Sequence, residues 1–500
     1  MDAHPFQLAS SNLMPLSGSL TRQGGVEYAL AEGPGRSRLL LLCASEARLF
    51  DGFDGETAEL AGKTMLVGPL SAGNAAALRE RLSWLRPVPL GMRTSAGMGD
   101  RLGLATPGHV RAMRAAGSGI SPIFAQQSVR EMKRTGRSPQ QVMDDATWGI
   151  FAEGWRQEAG ADADHLKTTG DIDACLAAGF TLFTIDPGEH VENRAETAGP
   201  ELLHSLVSRL PPEMQPQASG LAGRKFDIEN LALVMHEASL LRAAAKYGRA
   251  IAHVAAMYRH LERAAGTRPF ELEVSVDETT QPTSHLEHIY IASELKRLGV
   301  RWVSLAPRYL GRFEKGVDYI GNVGAFEEDL AGHAAIARAL GPYKLSLHSG
   351  SDKFSVYPAM MRQTQGLVHL KTAGTSYLEA LRTAAALDAG LFREIYTFAR
   401  EHYEADRASY HVSAELERAP LPGAVSDWPS LLDQFDARVI LHVTYGSVLT
   451  ERAAGGELRF YGRLMDLLHF HAEAYAANLK KHFIRHLKPF APARDLQATR

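Results

Sequence analysis

Only two cysteines, Cys43 and Cys175, occur in 500 residues, one in an apolar run and one in a helical pattern. That scarcity excludes a disulfide-stapled scaffold and suits buried thiols in a reducing compartment. An excess of one charge is lacking too: 54 basic side chains stand against 57 acidic ones, a formal net charge of -3. A balance this close to neutral gives no broad field for nucleic acid or an anionic membrane, so any anion must be recognised locally. No apolar run approaches the roughly 18 residues of a membrane-spanning helix. The opening Met1-Asp2-Ala3-His4-Pro5 carries neither the basic nor the apolar stretch of a secretory leader, so a cytoplasmic protein is the expectation. Low-complexity tracts and short repeats are also missing, and 45% hydrophobic residues suffice for a large core.

What the chain does contain is a repeated alternation of short apolar strands and amphipathic helices. Residues 1–86 read as a small N-terminal α/β cap, with strands at Arg38 to Ala44 and Lys63 to Val67 and a helix from Ser71. From Pro87 the pattern predicts eight strands, at 88–94, 121–127, 163–168, 180–186, 270–278, 301–306, 343–349 and 367–372, with helices such as 226–264 and 283–298 between them. Eight strand–helix units over 87–375 argue for a (β/α)8 TIM-like barrel, because parallel strands need helical crossovers and closure removes the edges. An open doubly wound sheet is the competing arrangement. Residues 376–500 read as the last barrel helix and a C-terminal helical appendage.

Strand parity then selects candidate site residues. In Lys344-Leu345-Ser346-Leu347-His348, in Glu271 to Asp277 and in His165-Leu166-Lys167, apolar and polar residues alternate. With Leu and Val facing the helices, His165, Lys167, Asp277 and His348 face the barrel axis near its C-terminal mouth, where active sites of this fold sit. His369 and Lys371 share that parity on the last strand. Neutral imidazoles with a carboxylate are a common divalent-metal set, so His165, Asp277, His348 and His369 are the candidate ligands. Glu278, beside Asp277, is the candidate base, and Lys167 or Lys371 could exchange protons or form a Schiff base. After the seventh strand, Ser349-Gly350-Ser351-Asp352-Lys353 offers converging amides and a point charge for an anion. Arg93 and Arg101 on the loop after the first strand, and the run Pro307 to Lys315 with Arg308, add further substrate contacts. The turn Gly97 to Gly103 lacks the spacing of a dinucleotide fingerprint, so no nicotinamide is expected. His482 and His486 have helical ligand spacing, but Lys480, Lys481 and Arg485 around them point to a solvated basic face.

Taken together, Asp162 to Thr168, Glu273 to Thr279, Pro307 to Lys315, His348 to Lys353, His369 to Thr375 and Leu441-His442-Val443-Thr444-Tyr445-Gly446-Ser447 resemble the tagaturonate epimerase family, over about residues 88 to 480. His442 and Tyr445 belong to the resembling set although they lie outside the predicted barrel. The resemblance implies interconversion of D-tagaturonate and D-fructuronate at C4 with a divalent metal, and the candidate imidazoles and carboxylate suit Zn, Mn, Co or Ni. Partners are then a small sugar acid and, where the chain assembles, copies of itself; nucleic acid and membrane are not expected. Because C4 is adjacent to neither the ketone nor the carboxylate, its proton is not activated. Two routes remain, transient oxidation with a nicotinamide and retro-aldol cleavage between C3 and C4 with re-addition; the missing fingerprint favours the second, with Glu278 and Lys371 handling the C4 hydroxyl proton and Arg308, Ser351 and Lys353 the carboxylate. Other readings left open are a metal-dependent aldolase or another sugar isomerase acting on a ketose or ketose phosphate, and a catalytically silent sugar-acid sensor.

Overall fold

A computed structural model describes residues 13–60 and 62–491. The N-terminal pentapeptide and the last residues of the predicted appendage lie outside them.

The eight parallel strands close into a barrel in sequential order: β1 (Ser95–Met98), β2 (Ser121–Ser128), β3 (Gly160–Leu166), β4 (Leu182–Ile185), β5 (Glu271–Ser275), β6 (Ser304–Ala306), β7 (Lys344–Leu347) and β8 (Val368–Thr372). β8 pairs with β1, His369 opposite Ser95 and Lys371 opposite Gly97. The first strand therefore lies beyond the predicted 88–94. Pro87 and Pro89 lack amide hydrogens, and Gly91 takes a φ of 62°, so the chain enters the ladder only after Thr94.

Local signals set the helices. Thr168 and Asp171 form a reciprocal capping box that starts the helix Thr169–Ala178, and Ser284 with Glu287 does the same for His285–Arg297. Between β4 and β5 runs a long excursion, with the hairpin Lys225–Ile228 and Leu231–Val234 followed by the 29-residue helix Glu237–Ala265. The cap is an antiparallel sheet spanning Met14 to Gly68, with the helix Ala72–Arg81. Its inner face (Tyr28, Leu30, Leu40, Leu42) joins the main core, while Cys43 packs in a separate small cluster with Ala29 and Met65. Both cysteines are buried and free.

C-terminal helices wrap back onto the barrel. Ala472–Leu487 crosses Thr106–Ala116 so closely that a Cβ on Gly108 would stand 2.5 Å from Leu479 Cβ, so only glycine permits that approach. Among the described residues no helix is long and apolar enough to cross a membrane.

Inside the barrel the filling is polar. Lys344 Nζ on β7 donates to Ser95 Oγ on β1 at 3.1 Å, and Lys371 on β8 reaches Asp162 on β3 at 2.8 Å. These strands are not neighbours, so the contacts cross the interior. A barrel interior is usually filled by branched aliphatic side chains; here buried Gln126, Asp162, Thr184, Glu273, Ser304 and Ser346 take that place. The fold thereby holds charge at its axis.

Candidate active site

The centre of the mouth is a buried lysine surrounded by acids. Lys371 Nζ lies 2.8 Å from Asp162 Oδ2, 2.8 Å from Asp164 Oδ1 and 2.9 Å from Glu273 Oε1, and donates to Thr184 Oγ1 at 2.6 Å. Burial opposes its charge, but the three carboxylates outweigh burial and hold it well above the ordinary lysine range. Asp164 and Glu273 are correspondingly held well below the usual carboxylate range, Lys371 outweighing their burial. Lys371 is therefore an ammonium, which removes the free amine that a Schiff base or a proton acceptor needs. Its position here organises the acids.

Above it two imidazoles face each other. His165 Nε2 and His348 Nε2 are 2.9 Å apart, and Asp164 Oδ1 is 3.1 Å from His348 Nε2. Each ring turns its other nitrogen to a carboxylate: His165 Nδ1 lies 3.1 Å from Asp186 Oδ2 and His348 Nδ1 lies 3.4 Å from Glu273 Oε1. A carboxylate beside each Nδ1 is the arrangement of metal-binding histidines, and a cation would take the place of the proton that the two Nε2 atoms share. Donor atoms of Asp164, His165 and His348 all lie within 4.8 Å of one another. Burial disfavours protonation of His348, yet Asp164 and Asp277 push it up to about 10. Four buried carboxylates (Asp162, Asp164, Asp186 and Glu273) outnumber the buried lysines Lys344 and Lys371, so the site attracts positive charge. These residues fit a divalent cation.

A β-bulge builds this arrangement. Between β3 and β4 the register passes from Ala163 opposite Phe183 to Leu166 opposite Ile185, an extra residue on β3, and His165 takes a φ of 55°. Asp164 and His165 consequently both reach the mouth. That corrects simple alternation. Below the bulge Asp162 and Asp164 point inward, and beyond it Lys167 swings onto the rim, 42% exposed and paired with Glu189 at 2.8 Å. Lys167 is thus not desolvated.

A cavity of about 460 Å³ opens over His348. Asp277, Glu278, Arg308, Tyr309, His348 and Ser349 line it, together with Arg130, Arg312 and Lys315 and the segment Tyr410 to Ser413 from the appendage. Glu314 Oε2 accepts from Ser413 N at 2.8 Å and Ser413 Oγ at 3.1 Å, which draws the appendage over the mouth. Four cations at the wall suit an anionic ligand. Lys315 Nζ donates to Ser349 Oγ at 2.9 Å, and Arg130 Nη2 donates to Glu278 Oε1 at 3.3 Å.

Other sequence candidates fall elsewhere. Arg93 precedes β1, so it lies at the opposite end of the barrel, where Nη1 meets Glu158 at 2.7 Å. His369 sits one inward residue below Lys371, its Nδ1 2.9 Å from Ser95 Oγ, away from the histidine pair. Asp277 is a wall residue, accepting from Ser275 Oγ at 2.5 Å; the carboxylate that meets both imidazoles is Asp164. Ser351 Oγ donates to Ala373 O at 3.0 Å, and Lys353 Nζ donates to Glu314 O, Val317 O and Ser351 O, so every Lys353 N–H serves the loop. Asp352 accepts from Thr375 Oγ1 and Arg438, and its Oδ1 lies 2.6 Å from His482 Nε2. His482 and His486 are buried against it, which overturns the solvated-face reading; the basic residues beside them occupy the helix's other side. Arg101 pairs with Glu131 and stacks on Tyr445 at 3.5 Å, with His442 Nε2 3.3 Å away, all buried behind the mouth.

Asp162, Asp164, Asp186, Glu273, Arg130 and the appendage wall were not selected from the sequence. Glu273 shares the parity of Asp277 and was open to the same argument; the others depended on the bulge or on distant chain contacts.

The model of the tagaturonate epimerase family matches residues 17–490. The tagaturonate/fructuronate epimerase of Thermotoga maritima is 45% identical over 416 residues, covering 83% of this chain and 84% of that protein. Among solved structures, the fructuronate-tagaturonate epimerase UxaE of Cohnella laeviribosi matches with a TM-score of 0.91 in its native form. Its form with one glycerol bound matches with a TM-score of 0.90, and in both the identity is 37% over 97% of this chain and 98% of that one. With nearly the whole chain matched in sequence and in fold, this protein belongs to the tagaturonate epimerase family.

Proposed function

We propose that this epimerase interconverts D-tagaturonate and D-fructuronate at C4, by cleavage and re-formation of the C3–C4 bond at a divalent cation. The observation that carries the reading is the pair of converging Nε2 atoms of His165 and His348 with Asp164, under a cavity walled by cations. A bound Zn²⁺, Mn²⁺, Co²⁺ or Ni²⁺ would polarise the oxygens on C2 and C3.

Everything else falls to the chain's own residues. Arg308, Arg312 and Lys315 hold the carboxylate on C6 and leave the reacting half of the sugar toward the histidines. Glu278 accepts the proton of the C4 hydroxyl, and Arg130 keeps its carboxylate aimed into the cavity. As the C4–O bond becomes a carbonyl, the C3–C4 pair moves into the C2–C3 enediolate. The three-carbon aldehyde acid, still anchored by its carboxylate, turns about C4–C5 and presents its other face. Re-addition at that face returns the proton from Glu278 to the C4 oxygen. Lys371, with Asp162 and Glu273 beneath the site, positions Asp164 and His348 and takes no proton.

Purified protein should convert tagaturonate to fructuronate, lose turnover on chelation and regain it with one of the four metals. Turnover in metal-free protein would overturn the cation. In D₂O the product should carry no deuterium at C4, since that carbon keeps its hydrogen throughout; deuterium there would remove the cleavage course.

A further inference from the structure

Outside the barrel, a second group of histidines gathers between two helices. His285 opens His285–Arg297, and Asp329 and His333 lie four residues apart on one face of Val323–Leu340, the spacing that brings side chains together on a helix. His285 Nε2 is 3.5 Å from Asp329 Oδ1, and His333 Nε2 is 3.7 Å from Asp329 Oδ2. Both separations are too long for hydrogen bonds. They come within a few tenths of an ångström of the roughly 3.3–3.5 Å between two ligands of a tetrahedral ion with bonds of about 2.0–2.1 Å.

An independent feature points the same way. His333 is fully buried, and its Nε2, like Asp329 Oδ2, makes no hydrogen bond of good geometry among the described residues, although the main chain of Thr283 lies near the first side chain and that of Leu310 near the second. A buried polar atom without a partner is costly and calls for an explanation. Behind it, His333 Nδ1 lies 2.9 Å from His288 Nδ1, and His288 Nε2 lies 2.8 Å from Tyr343 OH. When His288 donates from Nε2 to the phenol oxygen and accepts at Nδ1 from His333, the His333 Nε2 lone pair is left open toward Asp329. His285 Nε2 also lies 3.0 Å from the main-chain O of Asp329. Ligation exchanges that hydrogen bond for a metal bond, the neutral ring moving its proton from Nε2 to Nδ1.

We propose that His285, Asp329 and His333 form a second divalent-cation site, distinct from the barrel mouth, that clips these two helices together. Two imidazoles and one carboxylate suit Zn²⁺, Co²⁺ or Ni²⁺ over Mg²⁺ or Ca²⁺. The clip stands one side chain behind the cavity, since the ring of Tyr309, which lines it, is 5.9 Å from that of His333. It steadies that wall without touching the substrate.

The test is metal stoichiometry on the full chain, stripped with chelator and dialysed against Zn²⁺. His285 and Asp329 are half-buried, so the double variant H285A/D329N should fold, and H333Q provides a second probe. H285A/D329N should bind one ion fewer per chain than the unaltered protein, and H165A/H348A should bind one fewer independently. Zn²⁺ should raise the Tm of H165A/H348A and lose that effect once H285A/D329N is added. A mouth that binds no metal would show as one ion in all, lost with H285A/D329N and kept in H165A/H348A, leaving the clip intact. Equal zinc in H285A/D329N and the unaltered chain overturns it.

Discussion

The barrel mouth and the seam between barrel and appendage each gather two histidines around an aspartate, yet they are opposites. At the mouth, His165 and His348 turn their Nε2 atoms to each other, 2.9 Å apart, beside Asp164. At the seam, Asp352 accepts from Thr375 and Arg438 and lies 2.6 Å from His482 Nε2, while His486 Nε2 accepts the Asp352 N–H at 3.0 Å. There both Asp352 oxygens and the His486 Nε2 lone pair are already engaged by the protein. Burial pushes His486 down to about 3, whereas acids overcome burial and push His348 up to about 10. The residue types are the same in the two places. What differs is who else competes for the donor atoms, and that competition separates a binding site from a structural joint.

Breaking the joint should give the largest effect on stability. Asp352→Asn removes a buried partner of Arg438 and His482 and should cost about 3–5 kcal/mol of folding free energy, the range for uncovering a buried charge. Turnover per folded molecule should stay within a few-fold. Asp164→Asn should do the reverse. Lys371 keeps Asp162 and Glu273, so stability should change by less than about 1 kcal/mol. Turnover should fall by more than about 100-fold, beyond what a residue supporting a metal ligand contributes. Thermal denaturation beside initial rates decides both, and a stable, fully active Asp164→Asn would sink the contrast.

A smaller loss is expected from Asp186→Asn. The asparagine can still meet His165 but no longer strengthens its Nε2 as a donor, so metal affinity and turnover should drop by about 10–100-fold. An unchanged metal affinity would show that His165 needs no such support.

The sequence made the barrel readable because strand and helix periods alternate eight times and cap signals stand where helices begin. It made part of the mouth readable as well: Asp277, Glu278, Arg308, Ser349 and His348 line the cavity, and parity singled out His165. Parity failed at β3, because one inserted residue shifts every later side chain to another face and no residue type announces a bulge at Asp164-His165. The loop after β7 misled for another reason. Ser351, Asp352 and Lys353 have the composition of an anion cradle, but the chain's last helix and the loop at Glu314 to Val317 use their polar groups. Those partners are 36 to 134 residues away, beyond any local pattern. His482 and His486 were hidden by exposed neighbours on the same helix.

At neutral pH the last expected effect vanishes, and it sharpens the comparison only in acid. His486 is held at about 3 against an unfolded value near 6.5, first by burial, with Asp352 offsetting part of that and His482 and Arg438 adding to it. Above pH 6.5 the ring is neutral in both states and contributes no pH dependence. As pH falls from 6.5 toward 3 the unfolded chain takes up a proton that the folded chain refuses, so stability is lost through that window. By pH 5 the loss from this group reaches about 2 kcal/mol. His486→Gln keeps an acceptor near Nε2 for the Asp352 N–H and cannot titrate. Whatever its stability at pH 7, the further decline between pH 7 and pH 5 should be about 2 kcal/mol smaller than in the unaltered protein, read by urea denaturation at each pH. Parallel declines in the two proteins would mean that the His486 ring charges inside the fold, and that the seam is not the closed joint its hydrogen bonds describe.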